Sequence, residues 1–126
     1  MSQVQAQPAT VVREMLEGLF RDGVQALVAH PGMKDLRRLF PKVKEAIPDI
    51  SAELRKQVVE GDQVASHFVF RGTHTGALFG VAGTGKRVEF QNLSIAQVKD
   101  GKVVQYNSET GWLAFLMQVG ALPLPQ

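Results

Sequence analysis

A hairpin signal near the carboxyl end is the feature that most limits what this chain can fold into. Lys99-Asp100-Gly101-Lys102 contains the Asp-Gly pair typical of a tight turn between antiparallel strands. Residues 87–98, before the turn, alternate apolar and polar side chains with the period of a strand. Residues 102–110, after it, supply the return strand. The sequence therefore predicts an antiparallel hairpin whose register is fixed by its turn.

The first third of the chain has the periodicity of helices instead. Apolar residues recur at helical spacing from residue 8 or 10 to a turn at residues 21–23. A short helical piece over residues 24–30 is stopped by a Pro-Gly pair. A further helical stripe covers residues 33–47, where Pro41 either kinks the helix or begins a second one.

The order of these elements predicts the fold class. Residues 63–76 form a long strand, and residues 50–60 fit either a strand or a helix. A strand is favoured there because Val58 and Val59 lead into a Gly-Asp turn. Helices first and hairpin-linked strands afterwards predict an α+β fold, in which a curved antiparallel sheet and the N-terminal helices form a cone around an apolar pocket.

One glycine-rich stretch imitates a nucleotide-binding loop. Residues 80–86 match the spacing G-x-x-x-x-G-K, but Arg87 occupies the position that needs a hydroxyl for magnesium. The motif also requires a following helix, whereas Val88 and Phe90 alternate with polar residues as in a strand. We therefore interpret the stretch as a glycine-rich connection between strands, with no phosphate role.

Composition narrows the class of protein further. A chain of 126 residues is enough for one domain, which we place at residues 10–126 behind a disordered polar leader at residues 1–9. No apolar run approaches a membrane span, and the start lacks a signal peptide, so we expect a cytoplasmic protein with no membrane partner. The absence of cysteine excludes disulfides, thiolate catalysis and cysteine-based zinc sites.

The charge pattern argues against nucleic acid as a partner. The net charge is only +2, and the basic residues cluster on one helical segment without aromatic residues between them. That cluster fits a solvated helix face, and it comprises Lys34, Arg37, Arg38, Lys42 and Lys44.

Six short stretches, in this order and spacing, resemble the SnoaL-like polyketide cyclases of the nuclear transport factor 2-like superfamily. They are I-P-D-I at 47–50, E-G-D-Q-V-A at 60–65, R-G-T-H-T-G at 71–76, T-G-K-R-V at 84–88, D-G-K-V-V at 100–104 and L-M-Q-V-G at 116–120. The resemblance implies a cone with a deep pocket, a homodimer, and a small hydrophobic ligand bound without cofactor or metal. It also implies acid/base chemistry next to a carbonyl group, as in a cyclase, isomerase or lyase. Gly111 stands where the family has an Asp, which indicates the alternative of a non-catalytic ligand-binding or dimerising module.

Candidate catalytic residues follow from the last strand and one histidine. Gln105, Asn107 and Glu109 share one strand face, which is either a polar row inside the cone or a solvated outer face. If the face is inward, Glu109 is the base, and Asn107 or His74 steadies the enolate. His67 and His74 lie seven residues apart on one strand, so they point to opposite faces.

The expected substrate-binding residues combine apolar and polar side chains. We predict that they are His67, Phe68, Leu93, Ile95, Gln105 and Trp112. No metal site is expected, because three scattered histidines and no spaced pair of carboxylates do not supply a converging set of ligands.

Overall fold

The computed structural model describes residues 7–122, which form three α-helices and four strands. The helices are α1 (Pro8–Asp22), α2 (Lys34–Ala46) and α3 (Trp112–Gln118), and the strands are β1 (Ser51–Glu60), β2 (Gln63–His74), β3 (Lys86–Lys99) and β4 (Lys102–Thr110). Two 3₁₀ turns, Val24–Leu27 and Pro31–Met33, lie between α1 and α2, and we call residues 24–33 the corner. Residues 1–6 of the predicted leader lie outside the described residues, and α1 already begins at Pro8.

The four strands form one antiparallel sheet in the order β1-β2-β3-β4, which confirms the α+β prediction. The ambiguous segment 50–60 is the edge strand β1, and the Asp-Gly turn joins β3 to β4 as predicted. Register shifts occur between Leu54 and Lys56 and between Gln97 and Val98. Such bulges bend the strand that contains them and so help to curve the sheet.

The helices cover the inner face of this sheet. The apolar stripe of α1 packs on inward-facing residues of β2, β3 and β4 such as Phe68, Ala96 and Val103, all at most 1% exposed. A second cluster joins the end of α2 to α3 through Val43, Ile47 and Phe115. Burial of these side chains is the main term that stabilises the fold.

Proline and glycine act at two places where the sequence left a question. α2 runs as a single helix through Pro41, so that proline does not begin a new helix. Pro41 still removes one helical hydrogen bond from the middle of α2, because it has no N–H. The glycine-rich connection places Gly80 and Gly85 at φ +76° and +73°, and Lys86 begins β3. A strand therefore follows the glycine-rich stretch, as predicted, and a phosphate loop is excluded.

Helix α3 closes one end of the cone. β4 pairs with β3 only from Asn92 onward, which leaves the earlier backbone of β3 without a strand neighbour on that side. The side-chain amide of Gln118 fills this gap: its Nε2 donates to the carbonyl oxygen of Glu89 (2.6 Å), and its Oε1 accepts from the Glu89 N–H (2.8 Å). These two hydrogen bonds satisfy the backbone N–H and carbonyl groups of Glu89 at this edge of β3. They also hold α3, and with it Trp112, over the inner face.

Candidate functional site

A cavity lies between the helices and the inner face of the sheet. Its volume is about 50 Å³. Pockets for drug-sized ligands usually have a volume of about 300 Å³ or more. The cavity in this conformation therefore has room for only a few atoms of a ligand.

Most of the cavity wall is apolar and comes from α1, α2 and β2. The apolar lining residues are Leu16, Leu19, Phe20, Leu36, Leu39, Phe40, Val43, Ile50, Phe68, Phe70 and Trp112. Two of the predicted binding residues, Phe68 and Trp112, are therefore in the wall. Trp112 packs against Phe90 with a ring-centroid distance of 5.2 Å, so the indole is held by an aromatic cluster.

All polar side chains of the cavity wall are uncharged. They come from β3 and β4 and are Asn92, Tyr106, Ser108 and Thr110. Asn92 is 4% exposed, and its Nδ2 donates a hydrogen bond to the hydroxyl of Thr110 at 2.9 Å. Within the described residues, no carboxylate, histidine or lysine lines this cavity. A buried charge without a partner is costly, so such a wall suits a neutral ligand.

Tyr106 is the titratable group of the cavity, and the sequence analysis missed it. Burial raises the pKa of Tyr106, and the neighbouring hydroxyls of Ser94 and Ser108 lower it by less. The phenol is therefore neutral near pH 7 and can donate a hydrogen bond. The period of two in β4 puts Tyr106 and Ser108 on the face opposite Glu109, but by itself it does not state which face is the inner one.

A row of polar side chains crosses the inner face of the sheet next to Tyr106. One residue from each strand forms the row, namely Gln57, Ser66, Ser94 and Ser108. The amide of Gln57 donates to the Ser66 hydroxyl at 3.2 Å and to the carbonyl oxygen of Ala9 at 3.0 Å. The row therefore ties α1 to the sheet and makes this part of the cone polar without introducing charge.

The three residues that share a face of β4, Gln105, Asn107 and Glu109, lie on the outer face of the sheet. Gln105, Asn107 and Glu109 are exposed, and the cross-strand neighbours of Asn107 and Glu109 are the exposed Ile95 and Leu93. Of the two readings of this row, the solvated outer face is the one observed. The physical reason is that a charged carboxylate keeps its hydration there, while Tyr106 fills the inner side. Any catalytic role of Glu109 stays a prediction, without support from the cavity wall.

The two strand histidines face opposite sides, as predicted. His67 lies on the outer face, where its Nε2 is 2.5 Å from Oε1 of Gln91. His74 is fully buried, with its Nδ1 3.0 Å from the Thr84 hydroxyl and its ring edge-on to Phe115. His74 lines neither the cavity nor the outer face, so its surroundings fit a structural role.

An open groove of about 960 Å³ runs over the outer face of the sheet and around the edge of β4. Five of the predicted site residues line it: His67, Leu93, Ile95, Asn107 and Glu109. The groove and the cavity share four lining residues, Leu36 and Leu39 of α2 and Tyr106 and Ser108 of β4. The cavity and the groove therefore adjoin where α2 passes β4, and we call this place the mouth.

Two further features bear on the class of site. No group of three or more His, Cys, Asp or Glu in residues 7–122 is placed to hold a metal ion. In the same part of the chain, each helix is too short or too polar to cross a bilayer. The site thus consists of a neutral cavity, a mouth and an outer groove, and α2 and β4 contribute residues to all three.

Comparison with solved structures gives the same architecture. AclR from Streptomyces galilaeus, a proposed hydroxylase, is 25% identical, has a TM-score of 0.86, and is matched over 98% of this chain and 87% of its own. TsrD from Streptomyces laurentii is 22% identical with a TM-score of 0.82, over 95% and 100% of the two chains. IdmH from Streptomyces antibioticus, a proposed polyketide cyclase, is 23% identical with a TM-score of 0.79, over 91% and 99%.

The sequence itself carries a family signature. No curated protein gives a significant match. The family model described as SnoaL-like polyketide cyclase matches residues 5–119. That match spans the helices, the sheet and the cavity, and the chain therefore belongs to the SnoaL-like polyketide cyclase family.

Proposed function

We propose that this protein binds a neutral, hydrophobic carbonyl compound of the polyketide type, with its apolar part in the cavity and its remainder at the mouth. The observation that carries this proposal is the chemistry of the cavity wall, in which every polar side chain is uncharged. A ketone or ester oxygen can accept a hydrogen bond from the Tyr106 phenol, which burial keeps protonated. A free carboxylate would be desolvated there without a cationic partner.

The single tryptophan of the chain gives a direct test, because Trp112 lines the cavity. Neutral aromatic ketones and methyl esters are titrated into the protein, with the matching free acids as controls, and Trp112 emission is recorded. We expect saturable changes in emission for the neutral compounds. The acids should bind at least about tenfold more weakly, because each would bury a charge without a partner. Tyr106→Phe should weaken binding of the ketones by about two- to tenfold, the usual share of one hydrogen bond. Equal affinity for esters and acids would reject the proposal.

A second candidate function is acid/base catalysis by a cyclase, isomerase or lyase. It is favoured by Asn107 and Glu109 together, because both line the groove on the same face of β4. A ligand that extends from the mouth into the groove could lose the proton next to its carbonyl to Glu109, while the Asn107 amide donates a hydrogen bond to the oxygen of the enolate that forms. Such a step needs only the carboxylate and the amide, in line with the family's chemistry.

Turnover assays separate the two candidates. β-Keto esters and polycyclic ketones that bind in the fluorescence assay are followed for enolisation and ring closure by absorbance and mass spectrometry. For an enzyme, Glu109→Gln should lower turnover by about two orders of magnitude. Asn107→Ala should lower it by about a hundredfold or more, the usual share of one hydrogen-bond donor to an oxyanion. Asp35→Asn is the matched control, since Asp35 is another carboxylate of the groove. If the parent protein binds these compounds without turnover, catalysis is rejected and ligand binding remains as the proposed function.

A further inference from the structure

The cavity is too small for the ligand that its wall suits, so entry requires a change of shape. Its volume of about 50 Å³ must increase several-fold to accept even a small aromatic ketone. The mouth is bounded by Leu36 and Leu39 of α2 on one side and by Tyr106 of β4 on the other. Moving the first turns of α2 away from β4 is therefore the direct way to enlarge the cavity and open it to the groove.

The carboxyl end of α2 is attached to the segment that directly follows β2. The carbonyl oxygen of Ala46 accepts hydrogen bonds from the backbone N–H groups of Thr75 and Gly76, both at 3.0 Å. Ala46 and Ile47 are fully buried. A Cβ at Gly76 would lie 2.9 Å from the carbonyl oxygen of Glu45, so the two backbones are in close contact. This end can serve as a pivot for α2.

The amino end of α2 is held through the corner, and one side chain makes the polar contact. Nδ1 of His30 accepts a hydrogen bond from the backbone N–H of Val103 at 2.9 Å, at the free edge of β4. Beside it, a Cβ at Gly32 would lie 2.7 Å from the backbone nitrogen of Gln105. Met33, 1% exposed, adds apolar burial that favours the closed position.

We propose that His30 is an acid-sensitive latch that closes the mouth when its ring is neutral and releases the corner and α2 when its ring is protonated. A neutral imidazole can accept the hydrogen bond from Val103, but an imidazolium carries a proton on both nitrogens and cannot. Protonation thus converts an attractive contact into two facing donors. The purpose of the latch, ligand entry, rests on the proposed function, whereas the latch itself can be observed without ligand.

The charges around His30 set the direction of the pH response. Burial lowers the pKa of His30, and the positive charge of Lys102 lowers it further. The corner has no other ionisable side chain, the last turn of α1 carries the mutually paired Arg21 and Asp22, and the first turn of α2 carries Lys34 and Asp35. The bond is therefore present at pH 7, and it is lost as pH falls below the ordinary histidine value of about 6.5 and through the lower folded-state pKa.

The experiment compares three variants with the parent protein at pH 7.5 and 4.5, without ligand. His30→Asn offers an amide oxygen as an acceptor that does not titrate. His30→Ala removes the acceptor at every pH, and Lys102→Gln removes the charge that opposes protonation. The readouts are the hydrogen-exchange protection factor of the Val103 amide, measured by NMR, and acrylamide quenching of Trp112, which reports access to the cavity.

For the parent protein we expect Val103 protection to fall about tenfold between pH 7.5 and 4.5, as for loss of one hydrogen bond, with a parallel rise in quenching. His30→Asn should show neither change, and His30→Ala should be unprotected at both pH values. If His30→Ala does not fold, Lys102→Gln still decides, because its transition should move to higher pH. Protection that is independent of pH in the parent, or that falls equally in His30→Asn, would overturn the latch. Either result leaves the proposed function untouched, since no ligand is involved.

Discussion

The outer face of the sheet combines exposed apolar side chains with opposite charges at its two sides. Val58, Leu93 and Ile95 are 54%, 56% and 55% exposed. One row across the four strands reads Lys56, His67, Leu93 and Glu109, so a cation lies on β1 and an anion on β4. Apolar patches rimmed by charge are typical of protein interfaces. We expect a second copy of the chain to cover this face, which is the homodimer that the sequence analysis predicted.

Symmetry makes the row self-complementary. The two-fold axis that we consider is parallel to the strands and lies between β2 and β3. It places β1 of one copy over β4 of the other, and each row keeps its position along the strand direction. Lys56 then faces the partner's Glu109, and the contact occurs twice because the interface is isologous. Leu93 and Ile95 meet at the centre of the same interface.

The charge swap Lys56→Glu tests this arrangement. It removes two rim ion pairs and creates two contacts between like charges, each worth about 0.5 kcal/mol for partly exposed groups. The sum is about 2 kcal/mol, which corresponds to about a 30-fold increase in the dimer Kd. Glu109→Lys should have the same effect, and the double variant should restore the Kd to within about threefold of the parent value. Ile95→Asp should abolish the dimer, because it buries two carboxylates in the apolar centre.

Sedimentation velocity over about 1–100 μM protein, at low and at high salt, measures these constants. Lys99→Glu is the matched control, because Lys99 is exposed at the hairpin end of β3 and lies outside the row. Salt should weaken the parent and the double variant alike, since rim pairs are screened. A parent protein that stays monomeric at tens of micromolar would refute the dimer. A dimer with unchanged Kd in both single swaps would refute the two-fold arrangement.

Further predictions concern packing and charge. Phe90→Ala should lower the free energy of unfolding by about 3–5 kcal/mol in urea titrations, because the ring is 2% exposed and packs against Phe70, Trp112 and Phe115. Gly83→Ala should lower the melting temperature by several degrees, since its Cβ would lie 2.1 Å from the carbonyl oxygen of Thr75. Hydrogen bonds from Thr73 lower the pKa of Asp49, so the stability difference from Asp49→Asn should be largest above about pH 4 and decrease as pH falls through the lower folded-state pKa. A difference that does not change with pH would contradict this.

Much of the fold follows from periodicity alone. The helical spacing of α1 and the alternation of β3 assign those elements, because burying one face requires that spacing. The Asp-Gly turn joins β3 to β4, and the strand pattern after Lys86 excludes a phosphate loop. The register set by the turn holds only for the pairs next to it, because the irregularity between Gln97 and Val98 shifts the remaining pairs by one residue. The seven-residue separation of His67 and His74 likewise places them on opposite faces.

The candidate site depended on which face of β4 turns inward, and only the tertiary structure decided that. A period of two states that Gln105, Asn107 and Glu109 share a face, but it does not state which face meets the core. β4 is an edge strand with polar residues on both faces, so its hydrophobic pattern is too weak to orient it. Pairing with β3 places Tyr106 beside the buried Ala96 and Glu109 beside the exposed Leu93.

The size of the cavity and the mouth were also beyond the sequence. Both depend on how far α2 lies from β4, and that distance is set by contacts between residues far apart in the chain. His30 and Val103 are 73 residues apart, and Gly32 touches the backbone of Gln105. Local spacing carries no information about such contacts, because they form only when the helices dock on the curved sheet. The sequence by itself therefore determined the elements and the family, while the tertiary structure decided which side chains meet at the site.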